Sequence, residues 1–208
     1  MKIHLKLFLL PALFALICTA GTAQSDSLKF PVSIAFTNNA TQLPGSGNLG
    51  IIDMPIHPGL TVGTYKSYCA KGKHEWMQTF KLGYFYHHYS QQAIQLYSEL
   101  IYKLKFTEKF GIETGPGAGY LHSFSNVAVF ELNGDGVYEK KPNLGRPQFA
   151  FGLKAGIFYL FPGSGKMPVT IFFDYRFWLQ TPFVNEYVPM LPYSSIHMGT
   201  YIYFNRKK

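Results

Sequence analysis

Residues 169–180 read VTIFFDYRFWLQ, and this stretch decides the fold class. Its odd positions, from Val169 to Leu179, are all apolar or aromatic, whereas its even positions include Asp174, Arg176 and Gln180. Successive side chains of a β-strand point to opposite faces of the sheet. The segment therefore predicts a strand with one apolar face and one face that carries charge.

The same period of two recurs along most of the chain. It is least regular in 94–106, where Ser98 and Ile101 depart from it, and in 110–123, where Pro116 is unfavourable inside a strand. Eight strands are predicted, over residues 30–37, 58–69, 75–89, 94–106, 110–123, 148–159, 169–180 and 194–204.

Composition narrows the classes of protein that such strands can build. Only 14% of the 208 residues are charged, against about 25% in an average soluble domain. So few charges exclude intrinsic disorder and most nucleic-acid binders, and 20 Gly with 13 Pro argue against a helical bundle. A soluble barrel with an apolar interior and a membrane barrel with an apolar exterior both remain; the low charge favours the membrane barrel.

The N-terminus predicts export. Residues 1–23 combine Lys2 and Lys6 with a short apolar stretch and a small-residue cleavage site, as a secretory signal peptide does. The apolar stretch is too short for a membrane anchor. A lipoprotein acylated at Cys18 is the alternative, but a bulky residue stands before Cys18 where a small one is needed. Residues 24–208 would then form one outer-membrane β-barrel domain.

The connections between the predicted strands alternate in length. The three longest, 38–57, 126–147 and 181–193, fall on one side, as the outer loops of an exported barrel should. Aromatic residues cluster at the opposite, inner strand ends and predict a membrane-interface belt, with ordinary aromatic enrichment of strands as the alternative. The belt residues are Tyr68, Trp76, Phe106, Phe110, Phe161 and Phe204.

The charges on the less apolar faces predict a network in the lumen. Unpaired charges inside a narrow barrel would be expensive, so the carboxylates should pair with the cations. Eight strands leave an interior that side chains can fill, and such a network would plug the barrel. The predicted members are Lys81, Glu99, Lys103, Glu113, Lys154, Asp174 and Arg176.

The remaining charges divide between the two ends of the barrel. The inner turns and the C-terminal tail are strongly basic, whereas the outer loops are mildly acidic. Such a basic rim can contact phospholipid phosphates or an acidic partner. The alternative is that its lysines keep the turns solvated and block edge pairing.

No metal or cofactor site is predicted. Adjacent His87 and His88 face opposite sides of a strand and cannot chelate one ion together. Residues 131–136 are similar to the start of a calcium loop, but Pro142 occupies the position where a bidentate Glu is required, so a hairpin turn is the better interpretation.

One set of residues resembles a known active site. His88, Ser90 and Glu99 are similar to the His, Ser and Glu set of outer-membrane lipid A deacylases. The alternation, however, places Ser90 in a turn, Glu99 in the lumen and His88 outside, where they cannot act as nucleophile, base and orienter.

The whole pattern, ending in the strand IHMGTYIYF at 196–204, resembles the small eight-stranded outer-membrane β-barrel proteins of Gram-negative bacteria. The resemblance implies an all-β, antiparallel, up-and-down transmembrane barrel. In that family the last strand commonly ends at an aromatic that the assembly machinery reads; here Phe204 is followed by four more residues.

The expected function is a non-enzymatic structural or interaction role through the outer loops. The expected partners are outer-membrane lipids and a periplasmic or cell-surface protein, with no nucleic acid. The alternatives are a lipid-modifying enzyme of the same architecture and a soluble lipid-binding barrel.

Overall fold

The computed structural model describes residues 29–41, 56–88, 90–128, 130–134, 136–140, 142–161, 168–183 and 189–205. The predicted signal peptide, residues 1–23, and most of the predicted outer loop 38–57 lie outside them. Ten strands occur in the described part of the chain: β1 (Lys29–Thr41), β2 (Pro58–Lys71), β3 (His74–Tyr86), β4 (Gln91–Lys105), β5 (Phe110–Ser125), β6 (Phe130–Leu132), β7 (Tyr138–Lys140), β8 (Arg146–Phe161), β9 (Val169–Thr181) and β10 (Leu191–Asn205).

Eight of these strands form a closed antiparallel barrel in the order β1-β10-β9-β8-β5-β4-β3-β2. The eight predicted strands are therefore confirmed, although the third ends at Tyr86 and not at residue 89. The chain turns there because the His87 amide donates to the Gln91 carbonyl at 2.9 Å and the Ser90 amide to the His87 carbonyl at 3.2 Å.

The remaining two strands, β6 and β7, form a separate two-stranded sheet inside the predicted loop 126–147. The hairpin interpretation of residues 131–136 is thus correct. Asn133 closes the turn: its amide donates to the Val137 carbonyl, and its side-chain Oδ1 accepts from the Val137 amide, both at 2.9 Å.

Two irregularities interrupt the barrel wall. The pairing of β2 with β3 shifts between Ser67 and Cys69, where β2 carries a bulge. Pro116 lies in the middle of β5, paired with Leu153 of β8. Leu100 and Ile101 of β4 have no partner in the β4–β5 ladder beside it, and the register is the same on either side of this gap. Because proline has no backbone N–H to donate, it fits at a position where the hydrogen-bond ladder toward β4 is interrupted.

The alternation sorts side chains to the two sides of the wall as the sequence predicts. Odd positions of β3, β4, β5 and β10 and even positions of β8 and β9 face the lumen and are mostly buried. The opposite positions carry the large exposed apolar side chains, among them Phe36, Leu82, Leu96, Leu153 and Met198. No helix in the described segments is long and apolar enough to cross a bilayer.

Candidate functional site

All seven predicted lumen charges lie in one connected network. Glu99 bonds two cations, Lys81 Nζ at 3.1 Å and Arg176 Nε at 3.2 Å. Glu113 likewise pairs with Lys154 and, at 3.3 Å, with Lys103 Nζ. Asp174 joins the two halves, because its Oδ2 lies 2.8 Å from Lys154 Nζ and 3.8 Å from Arg176 Nη2.

The network is almost completely withdrawn from solvent. No side chain in it exposes more than 5% of its surface. Four cations meet three carboxylates, so the cluster carries one excess positive charge. Removing one partner of such a buried pair leaves an uncompensated charge and destabilises a protein by roughly 3–5 kcal/mol.

Aromatic rings surround the cations and take part in their stabilisation. Lys103 Nζ lies 4.8 Å from the centroid of Phe158 and 4.9 Å from that of Tyr201. Arg176 lies 5.1 Å from the ring of Tyr97 and donates to its hydroxyl. Cation–π contacts of this kind strengthen when the site is desolvated.

Four layers of side chains fill the lumen, and β9 contributes lumen-facing residues to each of them. From the outer end these are Gln180, Trp178, the charges Arg176 and Asp174, and Phe172. Trp178 belongs to an aromatic cluster with Phe85, Tyr97, Leu121 and Tyr193, and Phe172 to one with Ala35, Phe158 and Tyr201. The charge network therefore lies between two apolar layers that exclude water from it.

The outermost layer is polar but uncharged. Gln180 Nε2 donates to Gln148 Oε1 at 2.6 Å, and Gln91 Nε2 donates to Gln180 Oε1 at 2.9 Å. Beside them the rings of His57 and His87 stack, with centroids 3.6 Å apart. This amide and imidazole layer closes the end of the barrel from which the long loops leave.

The six predicted belt aromatics all lie near the end that carries the short turns and both described chain ends. Five of them, Tyr68, Phe106, Phe110, Phe161 and Phe204, are exposed. Trp76 is half-buried and lies 4.9 Å from the ring of Tyr102. The structure thus places these rings in one belt on the outer surface.

The basic rim lies at the same end. Lys71, Lys73 and Lys109 are exposed in or beside the short turns, whereas Lys105 lies on β4 and pairs with Glu75 at 3.3 Å. Its predicted remainder, Lys166 and the tail 206–208, lies outside the described residues.

The residues considered for chemistry are not brought together. Glu99 is engaged in the lumen network, His88 is exposed outside the wall, and Ser90 lies in the turn between β3 and β4. His87 is buried, and therefore faces away from His88 as predicted. Within the described ranges, no group of three or more His, Cys, Asp or Glu side chains is placed to hold a metal ion.

The aromatic layers and the glutamine layer of the lumen were not predicted from the sequence. Trp178 and Gln180 were visible on the less apolar face of β9, but periodicity names only the face. It also gave no reason for Ser98 on an apolar face; the structure supplies one, because Gln78 Nε2 donates to Ser98 Oγ at 2.9 Å.

These observations define a class of protein. A closed eight-stranded barrel with an apolar outer face, an aromatic belt and a paired, buried set of lumen charges is a transmembrane β-barrel of the outer-membrane type, and bacteria hold such barrels in the outer membrane. The apolar face points outward, opposite to what a soluble lipid-binding barrel needs.

Comparisons with known proteins find likenesses of fold. Neisserial surface protein A is 9% identical with a TM-score of 0.47, over 84% of this chain and 97% of that one. Ail of Yersinia pestis is 13% identical with a TM-score of 0.44, over 86% and 100%, and OprG of Pseudomonas aeruginosa is 12% identical with a TM-score of 0.38, over 86% and 96%. No family model and no curated protein matches the sequence.

Proposed function

We propose that this protein is a non-enzymatic outer-membrane barrel that binds a macromolecular partner through its outer loops. The observation that carries the proposal is the β6–β7 hairpin. It belongs to the loop at the end of the barrel that lies opposite the aromatic belt and the basic rim, outside the barrel wall, and it exposes apolar side chains.

The hairpin and its flanks are more apolar than a solvated loop needs to be. Tyr138 exposes 72% and Leu144 81% of its surface, and Val127, Phe130, Leu132 and Val137 are exposed beside them. Contiguous exposed apolar side chains on a soluble surface commonly mark an interaction site.

The base of the hairpin is fixed to the barrel. Asn126 Nδ2 donates to the His87 carbonyl at 2.7 Å, and Asn143 Nδ2 donates to the Ser125 carbonyl at 2.8 Å. On the other side Arg146 Nη1 donates to the Phe183 carbonyl at 2.9 Å. A fixed base lowers the entropy lost when a partner orders the surface.

The lumen supports the same proposal. Two aromatic layers and a network of paired charges fill it, which favours a scaffold over a pore. A lipid-modifying enzyme receives less support, because Glu99 and His88 lie on opposite sides of the barrel wall.

Crosslinking on intact cells tests the proposal. A photoreactive amino acid replaces Tyr138 in one variant and Thr107, exposed in the inner β4–β5 turn, in the control. We expect an adduct of macromolecular size at position 138 that is absent at 107 and is lost when Leu132 and Val137 are changed to Ser. No adduct at 138, or one that survives both Ser substitutions, would overturn the proposal.

The enzymatic alternative has its own measurement. The folded barrel is incubated with phospholipid and lipopolysaccharide, and released fatty acids are followed by mass spectrometry. We expect no release above that of the His88→Ala variant. Release that the substitution abolishes would make the protein an enzyme.

A further inference from the structure

A polar cluster interrupts the apolar outer face of the barrel on β2, β3 and β4. On other strands the corresponding inner half of the outer face is apolar, with Ile112, Ile157 and Ile171 exposed. On β2 and β3, Lys66 pairs across the sheet with Gln78, and both point outward because the neighbouring Met77 and Thr79 are fully buried in the lumen.

Hydrogen bonds connect this cluster across three strands. Tyr68 donates its hydroxyl to Gln78 Oε1 at 2.5 Å, and Gln78 Nε2 donates to Ser98 Oγ at 2.9 Å. Lys66 Nζ lies 6.0 Å from the ring centroid of Tyr68. The bulge between Ser67 and Cys69 inserts Tyr68 on the outside, and bulges often re-aim a side chain at a functional position.

Positive charge is concentrated at the inner edge of the cluster. Lys66, Lys71 and Lys73 belong to the β2–β3 hairpin, and in the described part of the chain none has a carboxylate oxygen within 4.0 Å of its Nζ. The nearest acidic residue along the hairpin, Glu75, is already paired with Lys105. Among the described residues, these three cations therefore have no carboxylate counter-ion.

The position fits one kind of occupant. The cluster lies beside Trp76 and Tyr102, whose rings are 4.9 Å apart in the belt that marks the membrane interface. At that level a phospholipid presents its phosphate. The lysine ammonium groups match it, because hydrogen bonds from an ammonium group to phosphate oxygens are charge-assisted. Ser98, in the middle of β4, lies deeper than this level and accepts a hydrogen bond from Gln78 there.

We propose that this face of β2 and β3 binds an anionic phospholipid of the inner leaflet, with the phosphate held by Lys66, Lys71 and Lys73. The hydrogen bonds that Gln78 makes with Tyr68 and Ser98 fix the Tyr68 ring beside Lys66. This is a site for a particular headgroup, in addition to the general contact that the barrel makes with acyl chains.

Tryptophan fluorescence can test the site, because the chain has two tryptophans and one of them, Trp76, lies beside it. In a Trp178→Phe background the barrel is reconstituted in phosphatidylcholine vesicles that contain brominated phosphatidylglycerol or, in parallel, brominated phosphatidylcholine. Bromine quenches Trp76 when the labelled lipid occupies the site. A difference in gel mobility between unheated and heated samples confirms that each variant is folded.

We expect brominated phosphatidylglycerol to quench Trp76 at a lower mole fraction than brominated phosphatidylcholine. The preference should fall about fivefold in Lys66→Gln, since each lysine near an anionic surface contributes about a factor of five. Lys140→Gln removes the same charge from the exposed β7 at the other end of the molecule and should leave the preference unchanged.

Three results would overturn the proposal. The two brominated lipids could quench equally, or Lys66→Gln could keep the full preference while Lys71→Gln with Lys73→Gln abolishes it, which would assign it to the turn alone. Alternatively, neither brominated lipid could quench the fluorescence of Trp76 while chemical crosslinking shows a dimer of the chain. That result would make this face an interface between copies of the chain.

Discussion

The Oδ2 atom of Asp174 lies 2.8 Å from Lys154 Nζ inside the barrel, and this pair joins the two halves of the lumen network. The two residues are diagonal neighbours on β9 and β8, because Asp174 pairs in register with Gly156 and Lys154 with Arg176. A side chain at position 156 would collide with Asp174: its Cβ would lie 3.0 Å from the Asp174 Cα. The glycine therefore gives the carboxylate room to reach Lys154.

Asp174→Ala should lower the stability of the folded barrel by roughly 3–5 kcal/mol, because it removes the carboxylate that bridges Lys154 and Arg176 and leaves a buried cation without its partner. Urea unfolding in detergent micelles, followed by the gel shift on heating, measures the loss. The double variant Asp174→Ala with Lys154→Met restores the original charge difference and should recover part of the stability. An unchanged urea midpoint in the single variant would show that the network does not stabilise the barrel.

Gly117→Ala should destabilise the barrel by roughly 1–3 kcal/mol, as overpacking of a filled core does. Its Cβ would lie 2.9 Å from Glu99 Cγ and 3.1 Å from Trp178 Cη2, two side chains of different layers. Gly83→Ala is the matched control, since its Cβ would have no heavy atom nearer than 3.5 Å. Equal unfolding midpoints for the two variants would contradict the packing described for the lumen.

Leu153→Arg should impair insertion or stability by about 2–4 kcal/mol, the range measured for Arg on the lipid face of a barrel near the bilayer midplane. Val127→Arg is the control, because Val127 in the outer loop and Leu153 in the middle of β8 are both 64% exposed. Solvent exposure alone predicts that both changes are tolerated. Folding yield in phospholipid vesicles distinguishes the two positions, and tolerance of both would argue against a lipid-facing wall.

The purified barrel should produce no stable ion conductance in planar bilayers, because aromatic layers lie on both sides of its charge network. A general porin added to the same bilayers serves as the positive control. Long-lived conductance steps from the wild-type barrel, at a size that scales with salt concentration, would show that the layers open.

The fold was predictable because each strand carries its own evidence. In β9 the period of two separates a lipid face from a lumen face within twelve residues, and no other part of the chain is needed to see it. The lumen charges were predictable for the same reason, since charged side chains are destabilising on the face that contacts lipid near the bilayer midplane.

Which side chains contact each other on a given face was not predictable in this way. Which cation meets Glu99 depends on the register of β3, β4 and β9, and register depends on the turns and on the pairing of whole strands. The polar cluster of Lys66, Gln78 and Ser98 comes from three different strands, and only the closed sheet brings it to one place.

The sequence by itself determined the class of protein, the number of barrel strands and the side of the wall that each strand residue faces, because these follow from local alternation and composition. The tertiary structure decided the layered order of the lumen, the pairing of Lys154 with Asp174 and the outward cluster around Gln78. These three features depend on the stagger between strands, which all the barrel strands determine together and which no single segment encodes.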